Sequence, residues 1–338
     1  MYSFKNDYSE GCHPRILEAL TRTNLDQTVG YGCDGHCEHA AALIRQAIAC
    51  PDAQIHFISG GTQTNLLAVS ACLRPYQGVI SAAAGHIAGH ESGAIEATGH
   101  KVLTIPAPEG KLTPDLIRQV CDAHQEEYCP QPGMVYLSDA TELGTVYSKA
   151  ELSAISACCR DLGLFLFLDG ARVAQAMAVS DLTLADIAAL TDAFSIGGTK
   201  NGALLGEALV LVHPSLHPHF RTLLKQRGGM LAKGRILGIQ FEVLFQDGLY
   251  DELGRQAVER ADRLQSGLKA LGYPMYVESP TNQIFVILTQ EQLARFQELC
   301  LFEVQEVLAD GRTAIRLCTS WATPVEAVDG LLDALSSR

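Results

Sequence analysis

The sequence predicts an α/β protein: a large domain on a mostly parallel central sheet, followed by a small C-terminal α+β domain. Three observations carry this expectation. Short apolar runs alternate with segments of helical period through the first two thirds of the chain. One run, LFLFLD, is apolar without interruption, as in a central parallel strand covered on both faces. From about Gly248 the texture changes to a long amphipathic helix and then to shorter strand and helix segments. A chain of 338 residues exceeds what one compact core usually serves, so two domains are expected, 1–247 and 248–338.

Taken in order, CEHAAALIRQAIA reads as a helix entered from a polar loop. QIHFIS (Gln54 to Ser59) reads as a strand and TQTNLLAVSACL as the helix after it. GMVYLSD is a second strand. In SKAELSAISACCRDLG, Ser148 and Glu151 make a capping box and Gly163 a stop, with Leu152, Ile155, Cys159 and Leu162 on one face. LFLFLD follows, then TLADIAALT as a short capped helix and ALVLV as a strand. DELGRQAVERADRLQSGLKALGYP is a long helix ended by Gly272 and Pro274. QIFVIL, the helix TQEQLARFQELC, AIRLCTS and the helix PVEAVDGLLDAL complete the small domain.

With 47% apolar and 19% charged residues, the composition is that of a well-buried globular enzyme and leaves no room for a disordered tail. The net charge of −13 argues against general affinity for nucleic acid or an anionic membrane. No apolar stretch is long enough to span a bilayer and MYSFKNDYSEG is polar from its start, so a soluble cytoplasmic protein is expected. The eleven cysteines are odd in number and scattered, which suggests reduced and mostly buried thiols. CDGHCEH lacks the spacing of a zinc ribbon, and no metal site is expected.

Ligands of open parallel sheets collect at the carboxyl ends of strands. After QIHFIS comes GGTQTN, where backbone amides open a helix beside hydroxyl side chains, a setting for an anion such as phosphate. After LFLFL comes DGAR: Asp169 leaves a buried strand and needs a cation or several donors. Arg172 either pairs with it or faces a ligand anion. Lys200 lies in SIGGTKNGALLGEALVLV, where burial would disfavour its ammonium and make the amine reactive. Its small neighbours read as room for a bulky attached group. A phosphate cradle, a buried aspartate and a reactive lysine together are the attachment points of pyridoxal phosphate. A nucleotide-binding sheet would leave Lys200 and Arg316 without a role.

Order and spacing resemble the threonine aldolases, of the β-eliminating lyase group within the fold-type-I pyridoxal phosphate enzymes. The match runs nearly end to end: KNDYSEGCHPRILEAL, VGYGCDG, SGGTQTNLLA, GHIAGHESGAIEATGHKV, LFLDGARV, GGTKNGALLGEALVLV, KQRGGMLAKGRILGIQF and IRLCTSWAT. The resemblance implies an aspartate-aminotransferase-like large domain, pyridoxal 5'-phosphate as cofactor, and a homodimer or homotetramer with shared active sites, residues 1–50 lying at the interface. It implies Lys200 as the Schiff-base lysine and Asp169 as partner of the pyridinium nitrogen. Gly61 and Thr62 would hold the phosphate, and His86, favoured over His90, would stack on the ring. Arg172 and Arg316 would bind the substrate carboxylate, with Asn6 where a serine is often found. A basic residue of RGGMLAKGR from a neighbouring subunit would reach the phosphate, Lys233 being the nearest match and Arg235 the alternative. Tyr31 would likewise cross the interface.

One departure stands out. Many threonine aldolases carry a histidine in the loop after the VYL strand, and here Glu142 takes that place. A carboxylate there can serve as a base or hold a water. The implied reaction is reversible retro-aldol cleavage of L-threonine or L-allo-threonine to glycine and acetaldehyde. The alternative is another pyridoxal phosphate reaction on a small amino acid: β-elimination, racemisation or transamination.

Overall fold

The computed structural model describes residues 1–337. In chain order its strands are β1 (Tyr2–Ser3), β2 (Gln54–Ile58), β3 (Gln77–Ala82), β4 (Val102–Ile105), β5 (Gln131–Ser138), β6 (Phe165–Asp169), β7 (Ala193–Gly197), β8 (Glu207–Leu211), β9 (Met275–Val277), β10 (Gln283–Leu288), β11 (Cys300–Leu301), β12 (Glu303–Val307) and β13 (Thr313–Cys318). Seven form one sheet in the order β2-β8-β7-β6-β5-β3-β4. Its pairings are parallel from β7 across to β4, while β8 runs antiparallel to both neighbours.

The uninterrupted apolar run of β6 has the expected cause. Leu166 and Leu168 enter the core on one side of the sheet and Phe167 enters the core on the other, all three essentially unexposed. Strand alternation therefore demands apolar residues at every position. β5 divides the same way, Val135 and Leu137 to one side, Met134 and Tyr136 to the other.

The flanking helices form where their caps predict. Ser148 and Glu151 close a capping box on Lys149–Leu162, and Gly163 ends it in the left-handed conformation. Thr183 and Asp186 do the same for Leu184–Leu190. Leu162 departs from its expected place: at the last position of the helix its side chain is exposed, while Cys159 in the same turn is buried. In CDGHCEH, Asp34 caps helix Gly35–Ala47 through the Cys37 amide, while His36 and His39 turn their Nδ1 atoms onto Glu242. All eleven cysteines are free.

A separate antiparallel sheet, β12-β13-β10-β9, forms the C-terminal unit. Helix Leu249–Ala270 spans both cores: Leu249, Tyr250 and Leu253 pack on the large sheet, Ala261, Leu264 and Leu268 on the small one. The chain start joins the small unit, since β1 pairs with β11 and Phe4 is buried in its core. Among the described residues no helix is long and apolar enough to cross a membrane.

Candidate active site

A cavity of about 320 Å³ opens at the carboxyl ends of the parallel strands. Seven of the predicted residues line it: Gly61, Thr62, His86, Glu142, Asp169, Arg172 and Lys200. They come from five separate stretches of chain, brought together because each follows or precedes a strand of the sheet.

Helix Gly61–Cys72 points its N-terminus into the cavity. Its cap, Gly60, offers no side-chain bond, and the amides of Gly61, Thr62 and Gln63 have no acceptor in the chain. A Cβ on Gly60 or Gly61 would meet only open space. Three bare amides beside a hydroxyl at a positive helix end form an anion cradle.

Asp169 ends β6 and is buried. Its Oδ2 accepts from Tyr136 (2.6 Å) and Asn65 (2.9 Å), its Oδ1 from the Ala171 amide (3.0 Å) and Ser195 (3.4 Å). All four donors are neutral, and no side-chain cation forms an ion pair with it. Arg172 is turned elsewhere: Nε and Nη2 grip Asp7 at 2.7 and 3.1 Å. Asp7 also accepts from Asn282 at 2.9 Å, so the pair ties the chain start to both sheets. Burial pushes the Asp7 carboxyl up, but Arg172 and then Lys200 outweigh it and bring it down to about 2. Arg172 Nη1 makes no hydrogen bond within the chain and remains available to a ligand.

Lys200 follows β7. Burial, and after it the Arg172 charge, hold its ammonium below the ordinary lysine range, and Nζ has neither ion pair nor hydrogen bond. The surrounding glycines serve a different end from the one expected. A Cβ on Gly197 would strike the Ala171 carbonyl at 2.5 Å, and one on Gly198 the Gly206 carbonyl at 2.6 Å. Gly202 has φ +92°. They let the turn press against the Asp169 loop and reverse direction, rather than enlarging the cavity. Helix Leu249–Ala270 fixes the turn, with Tyr250 donating to the Gly197 carbonyl (2.9 Å) and accepting from Asn201 (2.8 Å).

His86 lines the cavity and His90 does not. The His86 ring meets Glu91 Oε1 at 2.8 Å, and its amide donates to Glu142 Oε1 at 2.8 Å. Asn65 donates to Glu91 as well as to Asp169, and Ser138 donates to Glu142 at 2.7 Å. Burial raises the Glu142 carboxyl above the ordinary range, which Ser138 partly offsets. Glu207, at the start of β8, lies under the Lys200 turn, accepts from the Gly198 amide at 2.9 Å and is raised by burial to about 7.

Four predicted residues stand off the cavity of their own chain. Arg316 lies on β13, opposite Phe285 and Glu303, and its Nε is buried without a partner. The Cys318 thiol two residues on feels Asp7, Arg316, Arg172 and Lys200 together, which puts Arg316 within electrostatic reach of the site. Asn6 spends its Oδ1 on Tyr8 and Ser9. Tyr31 is exposed, with Lys225 Nζ 4.8 Å from its ring centroid. Lys233 is exposed without a hydrogen-bond partner, whereas Arg235 is tied to the carbonyls of Thr23 and Asn24.

Sequence reasoning missed Asp7 as the partner of Arg172, and a substitution tests that role. Asp7→Asn should loosen Arg172, because it takes away the carboxylate that both its Nε and its Nη2 grip. The buried guanidinium left behind should cost about 3 kcal/mol in thermal unfolding at pH 7. Because the folded-state Asp7 carboxyl is depressed, the wild-type pair stabilises above the unfolded value near ~3.9 and loses this as pH falls toward 2. Unfolding scans of the variant should lack that acid-side loss.

A family model described as beta-eliminating lyase matches residues 7–291. A low specificity L-threonine aldolase of Pseudomonas aeruginosa is 32% identical over 331 residues, 96% of this chain and 94% of that one. Among solved structures, a threonine aldolase of Leishmania major superposes with a TM-score of 0.98 at 50% identity, over 99% of this chain and 98% of that one. An aspartate aminotransferase of Thermus thermophilus, at 16% identity and a TM-score of 0.74 over 99% of this chain and 90% of that one, shares the expected fold type I architecture.

Proposed function

The chain belongs to the beta-eliminating lyase family, and from that premise we propose that it cleaves L-threonine or L-allo-threonine reversibly to glycine and acetaldehyde, using pyridoxal 5'-phosphate. One observation carries the reading: in a single cavity Lys200 has no ion pair and Asp169 faces only neutral donors. A half-buried amine and a buried carboxylate, neither in an ion pair, await a ligand that engages each.

The residues fit that cofactor. The open amides of Gly61 and Thr62 would take its phosphate, Asp169 its ring nitrogen and Lys200 its aldehyde carbon, with His86 against the ring. When bound, pyridoxal phosphate supplies an electron sink for the pair released from the Cα–Cβ bond. Asp169, fixed in place by four donors, would face the cofactor's ring nitrogen. Glu91 fixes the His86 ring from behind. Nη1 of Arg172 and the unpartnered Arg316 bind the substrate carboxylate, and the Asn6 amide group adds a donor. Glu142 accepts the β-hydroxyl proton.

Tyr31 and Lys233 fit sites completed across an interface. Both are exposed, both stand away from their own cavity, and the Lys233 side chain makes no hydrogen bond within the chain. Dimers or tetramers formed through residues 1–50 would bring them to a neighbour's phosphate and substrate.

Purified protein loaded with the cofactor should release acetaldehyde from at least one threonine isomer, followed by coupled reduction. Borohydride should fix the cofactor mass on a peptide containing Lys200. Pyruvate from serine, with no acetaldehyde from either isomer, would assign β-elimination instead.

A further inference from the structure

The hydrogen bonds of the site link its carboxylates into a chain. Asp169 accepts from Asn65, Asn65 donates also to Glu91, and Glu91 holds the His86 ring. The His86 amide then reaches Glu142, Ser138 donates to Glu142, and Tyr136 donates to Asp169. Three carboxylates are thus joined through neutral groups and one histidine.

Within this chain the two oxygens of Glu142 differ. Oε1 accepts two bonds, from the His86 amide at 2.8 Å and from Ser138 Oγ at 2.7 Å. Oε2 accepts none and belongs to a side chain that lines the cavity. Ser138 has one hydroxyl proton and two neighbours. Its distance to Tyr136 is 3.3 Å against 2.7 Å to Glu142, so the proton goes to Glu142. Tyr136 spends its own proton on Asp169 at 2.6 Å and does not compete.

We propose that Ser138 is the positioning residue for proton transfer: by filling Glu142 Oε1 together with the His86 amide, it leaves Oε2 as the atom that takes the substrate's β-hydroxyl proton. The inference rests on the aldolase reading. In the step, the β-oxygen–hydrogen bond breaks and an Oε2–hydrogen bond forms. The oxygen's pair would become the aldehyde π bond, and bound pyridoxal phosphate would supply the electron sink for the Cα–Cβ pair. A proton returned to Cα yields glycine, and no oxidant or reductant is needed.

The groups facing Glu142 set the direction of its pH dependence. Tyr136 and Ser138 lie on β5, Asp139 follows, and Tyr147 is in the next loop. His86 follows the neighbouring strand β3, and Asp169 and Arg172 come from the end of β6. Burial and Asp169 disfavour the carboxylate, while Ser138 and His86 favour it. Removing the Ser138 hydroxyl takes away a charge-assisted bond and moves the carboxyl further up.

The test compares wild type, Ser138→Ala, Ser138→Thr and Glu142→Gln as purified full chains loaded with pyridoxal phosphate. Ser138→Ala should move the acid limb of kcat/KM for threonine upward by about one pH unit and lower the neutral rate about tenfold. Ser138→Thr, which keeps a hydroxyl, should restore both, and Glu142→Gln should lack the limb. An infrared titration without substrate should show the same displacement in a carboxyl band that Glu142→Gln abolishes. A rate loss in Ser138→Ala with limb and band unmoved would overturn the proposal. A wild type that forms no acetaldehyde defeats the aldolase reading, while the band still decides whether Ser138 governs Glu142.

Discussion

Replacing Lys200 with methionine should lower acetaldehyde formation by at least about 10³-fold, and should stabilise the folded chain at neutral pH. The two effects have one origin. Nζ has no ion pair, and desolvation, then the Arg172 charge, hold its ammonium below the ordinary lysine range. That makes the neutral amine available to an aldehyde and makes the charged form costly to bury. The folded state binds the proton more weakly than the unfolded chain, so stability rises with pH between the folded value and the unfolded one near ~10.4. The penalty is complete below that window and gone above it. Lys200→Met removes the group, so its gain in melting temperature should be present at neutral pH and fade toward alkaline pH. Lys200→Arg should recover neither activity nor stability, since a guanidinium stays charged and cannot serve as the amine. Equal melting curves for wild type and Lys200→Met across pH 7 to 11 would mean that the lysine carries no burial penalty.

This coupling explains what could be read from the sequence. Lys200, Asp169 and the Gly61–Thr62 turn all sit at strand ends, where local pattern marks both the strand and its chemistry. Tyr136 and Ser138 give no such mark. They alternate on one face of β5, and in the sequence that spacing reads as core. Asp7 is separated from Arg172 by most of the large sheet, and a pair so distant in sequence carries no local signal. The run ALVLV predicts a buried strand without its direction. The Gly198–Gly206 connection is shorter than the roughly dozen residues a parallel crossover needs, so the antiparallel course of β8 was legible from loop length. The role of the glycines around Lys200 was not, because it depends on carbonyls of the Asp169 loop that fold against them. The division at 247 and 248 has a similar limit. Periodicity shows one long helix, and only packing reveals that its two ends serve different cores.

Asp169→Asn isolates charge from shape at the other end of the site. The asparagine can keep the Ala171 amide and Ser195 on its oxygen, since a backbone donor cannot turn away. Its NH₂ group must then face Tyr136 and Asn65. Tyr136 can rotate its hydroxyl to accept, but Asn65 cannot turn without giving up Glu91. One donor is left opposing another, and thermal unfolding should register a loss of about 1–3 kcal/mol. Activity should fall further than stability, by about 10²–10³-fold in kcat at saturating cofactor, because the preorganised negative charge facing the ligand is gone. The Asn65 strain should also reach His86 through Glu91. In Asp169→Asn combined with Asn65→Ala the stability losses should therefore add to less than their sum, since the second change removes the opposed donor. Losses that simply add would show that Asn65 and Asp169 act independently.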